Sequence, residues 1–352
     1  MQIDFHHATT YVVARLAGFE HDPAAIIAHA AQYVDDATSS GMICFTTGAM
    51  YQRLSSAHKM LDLRNAEELA NHQVWLPFHF LPGNDGLSAG QHPDGSFIRK
   101  IVCKPDSHIA RQMVRQAILD QNRPCGLHRL GITMHVYADT WAHQGFAGVD
   151  HKINRVEDPV ETGNSGVFNS GLKKFMLDVM DDMAPPLGHG QANVLPDMPF
   201  LAWEYKNGHG EAISRDNTSQ FCQAADQLCR AMQCYLARDP NGETVGIGDR
   251  DMQKIEKLFR TLKDEDGEKR HQAWLTAIAQ DPFSFGPENL SYTAKQNASW
   301  KEQALGTNED RPEYSWDKKF LRSNWKLFHD AVQAHRLYVL HDLLPRYGIC
   351  AA

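Results

Sequence analysis

No stretch of this chain stays apolar for the length of a membrane span, and its start, MQIDFHHATT, has neither the charged nor the apolar region of a signal peptide. A protein made and kept in the cytoplasm is therefore expected, with export by a route that uses no cleaved signal left open. CxxC pairs are absent, and the seven cysteines are an odd number in a chain of 352 residues. A disulfide framework is thus excluded, and Cys222, Cys229 and Cys234 read as small apolar residues on a helix. Positive charge is not in excess: 35 basic against 43 acidic residues give a net charge of −8. With no basic field to gather a polyanion, extended nucleic acid is a weaker partner than a small or lipidic phosphoester. Cations bound inside the protein could still reverse the sign locally. Internal repeats, heptad runs, convincing strand alternation and composition shifts at a linker are all lacking.

What is there suits a large core. Hydrophobic residues make up 42% of the chain and aromatic residues 9%, enough for one sizeable globular domain. The periodicity predicts an amphipathic helix over residues 4–17 and a second over 24–37, the two forming an antiparallel hairpin. Further helices are predicted over 106–120, 171–183 and 217–237, then from Asp249 as N-cap, and in a long aromatic-rich pattern over 315–344. Between 145 and 199 the chain is rich in Gly, Asn, Asp and Pro and reads as long irregular structure. The expected fold is mainly α: a single domain over 1–352 with long loops, a metal-site half at 1–210 and a helical packing half at 211–352.

The chemistry concentrates in residues 131–145, GITMHVYADTWAHQG. His135, Asp139 and His143 stand four apart, a step that rotates only about 40° around a helix, so all three project from one stripe. Their neighbours are apolar, and ionisable groups on a buried helix need coordination or pairing. The pattern points to a comb of metal ligands, with a buried His-Asp-His hydrogen-bond network as the plainer alternative. The hairpin geometry puts His6, at the start of one helix, at the same end as Asp35 and Asp36 at the end of the next. His79 sits alone in the aromatic run VWLPFHFL; out of context such a histidine is more often core than ligand.

In that order, His6, Asp35, His79 and the HxxxDxxxH comb resemble the zinc-dependent phospholipase C and single-strand nuclease superfamily, as well as an uncharacterised bacterial family of the same layout. LGITMHVYADTWAH carries the strongest likeness; FHHATTYVVA with AAQYVDD, and PFHFLPGND, carry the rest. The likeness runs from the N-terminus to about Gly145. It implies a helical fold and a cluster of two or three Zn2+ ions. Asp35, His79, His135 and Asp139 would hold one metal, Asp139 would bridge to a second held with His6, and His143 would belong to a third. Mature members also use their N-terminal amine as a ligand; this chain begins at Met1 without a cleavable signal, and Asp4 is an alternate ligand that could substitute. The superfamily's HxxxE or HxxxD for the third site has no clean counterpart, and His189 is the choice there, with His151 an alternate. His7 and Asp36 are expected beside the ligands or as alternates.

The resemblance implies a phosphoester or phosphodiester hydrolase, phospholipase C-like or nuclease-like, using a metal-bridging hydroxide, with Asp35 also orienting the attacking water. Its substrate would be a phosphoester-bearing small molecule or lipid. Two other readings remain: a helical module in which the metal only staples the fold, and a different metal enzyme. Glu268 and His271 form a lone ExxH of the di-iron kind, and His341 with Asp342 an HD doublet of the phosphohydrolase kind; both sit in settings that suggest turn or packing. The oligomeric state is not legible.

Overall fold

A computed structural model describes the chain apart from residues 58–67, 164, 167–187, 189, 191, 193, 282 and 351–352. The helix expected over 171–183 and the third-site candidate His189 lie outside the described residues. The described helices, in chain order, are α1 (Thr10–Ala17), α2 (His21–Asp36), α3 (Glu68–Phe78), α4 (Ile98–Ile101), α5 (His108–Leu119), α6 (Gly126–Ala142), α7 (Asn217–Ala237), α8 (Asp249–Thr261), α9 (Gly267–Gln280), α10 (Trp300–Leu305) and α11 (Asn324–Leu337). The architecture is mainly α, and no described helix is long and apolar enough to cross a membrane.

Local chemistry explains most of these boundaries. Gly18 ends α1 with φ 112°, a conformation open to glycine without strain. Pro23 falls in the first turn of α2, where its missing N–H costs nothing, so the helix starts at His21 rather than at the expected residue 24. Side chains cap α5 (Ser107), α7 (Asp216), α9 (Asp266) and α11 (Ser323). Asp249 does not cap α8: Gly248 holds the cap position, and Asp249 stands in the first turn, where the helix dipole favours an acid. The pattern over 315–344 is not one helix, because Ser323 starts α11 afresh after a 3-10 turn at Lys318–Arg322.

Among the described residues, five short strands form where the sequence shows no convincing strand alternation. β1 (Gly41–Cys44) and β2 (Met50–Arg53) form an antiparallel hairpin; β3 (Val156–Glu161), β4 (Ala202–Asn207) and β5 (Ala212–Asp216) form an antiparallel sheet with a bulge between Glu157 and Val160. In β4, Trp203 and Tyr205 face inward while Glu204 and Lys206 face out, an alternation six residues long and easily lost between loops.

α6 is the axis of the molecule. It is buried on almost every side and packs against α2, α5, α7 and α11. The close approach of α2 depends on Gly131: a Cβ there would lie 2.4 Å from the carbonyl oxygen of Ile27 and 2.7 Å from Cβ of Ala30. Ala31 and Gly131 form the crossing, and one helical turn beyond it stand Asp35 on α2 and His135 on α6. Small residues at the crossing therefore set how near these two ionisable side chains come.

Candidate metal centre

Asp139 is the hub of the site, 1% exposed, and its two oxygens face different partners. Oδ1 lies 2.7 Å from the Met1 α-amine and 3.2 Å from Nε2 of His6. Oδ2 lies 3.3 Å from Nε2 of His135, 3.6 Å from Nδ1 of His143 and 3.7 Å from Nδ1 of His79. Asp35 completes the second group, its Oδ1 at 3.8 Å from both Nδ1 of His79 and Nε2 of His135. Two sets, His6–His135–Asp139 and Asp35–His79–His135, have ligand atoms close enough to share an ion.

Backbone architecture delivers these groups. Residues 4–9 form a π-helical turn, wider than an α-turn, in which His6 and His7 are both buried and point to different neighbours. The hydroxyls of Thr9 and Thr10 donate to the carbonyls of Asp4 and Phe5, satisfying acceptors that the wide turn loosens. α3 ends beside Pro77, leaving His79 in the loop with Nε2 at 2.9 Å from the Ser56 carbonyl oxygen. That oxygen can only accept, so Nε2 carries the proton and Nδ1 turns a lone pair to the site. His143 sits just past the end of α6, yet its N–H still bonds the Asp139 carbonyl at 2.8 Å, which keeps it on the comb. Its Nδ1 lies 2.6 Å from the His79 carbonyl oxygen, which fixes the proton there, so the His143 nitrogen nearest Asp139 is an N–H and the lone pair sits on Nε2, 3.9 Å from Oδ1 of Asp197. Histidine N–H groups anchored on carbonyls with the other nitrogen facing inward are the usual outer support of a metal site.

The electrostatics suit a cation. Although burial alone would raise its pKa, Asp139 is held well below the ordinary carboxylate range by His143, the Met1 ammonium, His135 and His6. Burial opposes charge on the Met1 amine, but Asp139 and Asp197 outweigh it and push the amine up to about 11. Burial and neighbouring His135 drive His6 well below its ordinary value, which leaves it neutral. Withdrawal from water raises Asp35 against the pull of His135 and His79. Both ring nitrogens of His6 and Nδ1 of His135 are buried without a hydrogen-bond partner. Nε2 of His6, orphaned yet 3.2 Å from Oδ1 of Asp139, is a nitrogen that a cation with N and O ligands could use.

The structure brings together His6, Asp35, His79, His135, Asp139 and His143. Other candidates go elsewhere. Asp4 does not substitute for an N-terminal amine: it is fully buried in an ion pair with Arg270, Nε to Oδ2 at 2.7 Å, and the Met1 amine itself occupies the place beside Asp139. His7 turns from the hub to meet Nε2 of His271 at 2.9 Å. Asp36 accepts from the Tyr292 hydroxyl at 2.6 Å and from Gln32 at 3.2 Å; the same Gln32 amide reaches Oδ2 of Asp35 at 3.5 Å. Asp36 thus stands beside a ligand and shares its anchor. His151 caps a 3-10 turn by accepting from the Ile153 N–H. Glu268 of the ExxH stands in the first turn of α9, and His341 and Asp342 are exposed.

Two members went unforeseen. Asp197, Oδ1 at 3.1 Å from the Met1 amine and 3.9 Å from Nε2 of His143, comes from a proline-flanked loop without periodicity. The Met1 amine carries no side-chain signature; its signal was the superfamily's own use of an N-terminal amine. A family description, DUF6765, a family of unknown function, matches residues 1–343. The chain belongs to that family. No curated protein and no solved structure matches it. The matched span contains every residue of the centre.

Proposed function

We propose that this chain is a metal-dependent phosphoester hydrolase, with zinc the favoured ion, of the kind its sequence resembles. The observation that carries the reading is the divided Asp139 carboxylate. One oxygen faces the Met1 amine and His6, the other faces His79, His135 and His143. A carboxylate shared in this way is suited to hold two cations side by side.

His6 and Asp139 would hold one ion, joined by the Met1 amine once an ion displaces the proton that Asp139 and Asp197 keep on it, and Asp35, His79, His135 and the other Asp139 oxygen would hold a second; His143 and Asp197 stand where a third could be taken. Ions held there would lower the pKa of a bound water toward neutrality and offset charge on phosphoryl oxygens. Asp35 is the open member of the set, its side chain 34% exposed against 1% for Asp139. Substrate therefore enters on the Asp35 side. Oδ1 of Asp35 faces His79 and His135 and would be the ligand oxygen, which leaves Oδ2, 3.5 Å from the Gln32 amide, to orient the attacking water and receive its proton. His79, its outward N–H fixed on the Ser56 carbonyl, would keep Nδ1 aimed at the second ion while charge develops, and His143, its Nδ1–H fixed on the His79 carbonyl, would offer Nε2 on the Asp197 side. The substrate class is a phosphoester-bearing small molecule or lipid, in keeping with the acidic chain.

A structural metal that staples the helices is the second reading, favoured by the complete burial of His6 and His135. Hydrolysis of bis(p-nitrophenyl) phosphate and of a phospholipid by zinc-reconstituted protein separates the two. The hydrolase reading expects turnover that chelation abolishes, and an Asp35→Asn variant that turns over at least about 100-fold more slowly, the scale of general base catalysis. Metal-loaded, folded protein inert on both substrates supports the staple instead.

A further inference from the structure

The Met1 amine and His6 reach the hub from a segment only six residues long, and something must hold that segment. Arg270, on α9 and 1% exposed, is what touches it. Nε donates to Oδ2 of Asp4 at 2.7 Å, and Nη2 donates to Oε1 of Gln2 at 2.7 Å and to Oδ1 of Asp4 at 3.4 Å. Nη1 donates to the carbonyls of Asp264 and Glu265 at 2.7 and 3.2 Å. Five N–H donors thus serve five bonds, the full capacity of a guanidinium. Gln2 is held from the other side as well: its carbonyl accepts the N–H groups of Phe5 and His6, each at 2.9 Å. Gly267 leaves it room, since a Cβ there would stand 2.5 Å from Oε1 of Gln2.

We infer that Arg270 is a positioning residue: by clamping Gln2 and Asp4 against the 264–265 turn, it delivers the Met1 amine and the His6 imidazole to Asp139. The inference rests on the metal reading for its purpose but not for its test. A buried ion pair is a poor source of stability by itself, whereas a planar fork joining four residues fixes geometry. Lysine keeps the charge toward Asp4 and cannot make the other bonds.

The test uses the full chain, metal-free, in four forms: native, Gln2→Ala, Arg270→Lys, and the pair Arg270→Met with Asp4→Leu, which removes both buried charges together and so protects folding. Reductive methylation followed by mass spectrometry reads the labelling rate of the Met1 amine, with thermal melts confirming that each form is folded. In the native chain the amine is shielded. Folded Arg270→Lys and the paired variant are expected to label Met1 at least 10-fold faster, and Gln2→Ala several-fold faster, while lysine labelling stays as in the native chain. Zinc titration is expected to show loss of the ion on the His6 side with the Asp35–His79–His135 ion retained. Native labelling rates at Met1 in folded variants overturn the inference. If the native chain takes up no zinc, the metal reading falls, and the labelling rates still decide the role of Arg270.

Discussion

Two clusters of buried histidines lie back to back in this molecule, and only one of them looks like a site. They share elements: the π-helical turn sends His6 to one and His7 to the other, and the end of α2 sends Asp35 to one and Asp36 toward the other. Around Asp139, His6, His79, His135 and His143 converge on carboxylate oxygens within 3.2–3.7 Å. In the second cluster His7 meets His271, His29 stacks on Trp300 at 3.8 Å between centroids, and His128 meets Asn324. Burial drives His271 and His128 down to about 4. His135, by contrast, is raised, because Asp139 and Asp35 overcome the burial that would lower it. Neutral rings on aromatic and amide neighbours make a core; rings gathered around one shared carboxylate are groups that could hold an ion.

The largest expected effect comes from removing the hub. Asp139→Ala leaves the Met1 ammonium buried with Asp197 and the more distant Asp35 and removes the carboxylate on which His6, His79, His135 and His143 converge. Loss of nearly all bound zinc is expected, together with about 3–5 kcal/mol of stability, the scale for breaking a buried pair. Elemental analysis and urea unfolding check the two parts. Next comes the helix crossing that sets the Asp35 to His135 distance. Gly131→Val forces side-chain atoms into the Ile27 carbonyl, and a loss of at least about 1–3 kcal/mol is expected from overpacking, with weaker zinc binding in whatever folds.

Acid sharpens the comparison from the other side. In the unfolded chain His271 and His128 take a proton near 6.5, but in the folded chain not until about 4. The unfolded state therefore binds more protons between these values. The stability that each neutral ring contributes is complete above 6.5 and lost as the pH falls toward 4, at up to about 1.4 kcal/mol per pH unit per ring. His271→Phe should flatten that slope in urea unfolding at pH 8, 6 and 5, at a cost of about 1–3 kcal/mol at pH 8 for the stranded His7 nitrogen, and leave zinc content unchanged. The smallest effect belongs to Gln32→Ala, which frees one oxygen of Asp35: a drop in zinc affinity of about 10-fold or less, read by competition with a chelating dye.

Much of this was legible in the sequence, and for reasons that differ by residue. His135, Asp139 and His143 show themselves through a four-residue spacing on an apolar helix, where periodicity is strongest. His6 and Asp35 follow from a short helix hairpin that puts both at one end. His79 emerged only from the order of the whole set, since nothing local distinguishes it from a core histidine. Asp197 was out of reach, because a loop residue reaches its partners through tertiary folding alone. Arg270 hid in the charged run KDEDGEKR, which reads as a solvated turn; burial on Asp4 and Gln2 is a long-range fact no local pattern carries. The strands were hidden by brevity: in β1 and β2, Met42 and Met50 face solvent and blur the alternation.

The most direct test of the central claim is zinc content by elemental mass spectrometry on chelator-free protein reconstituted with zinc, for the native chain, His135→Ala and His271→Ala. The account expects two or three ions per native chain, most of them lost in His135→Ala and all retained in His271→Ala. A folded native chain that holds none, or equal loss in both variants, would contradict it and leave the two histidine clusters alike as packing.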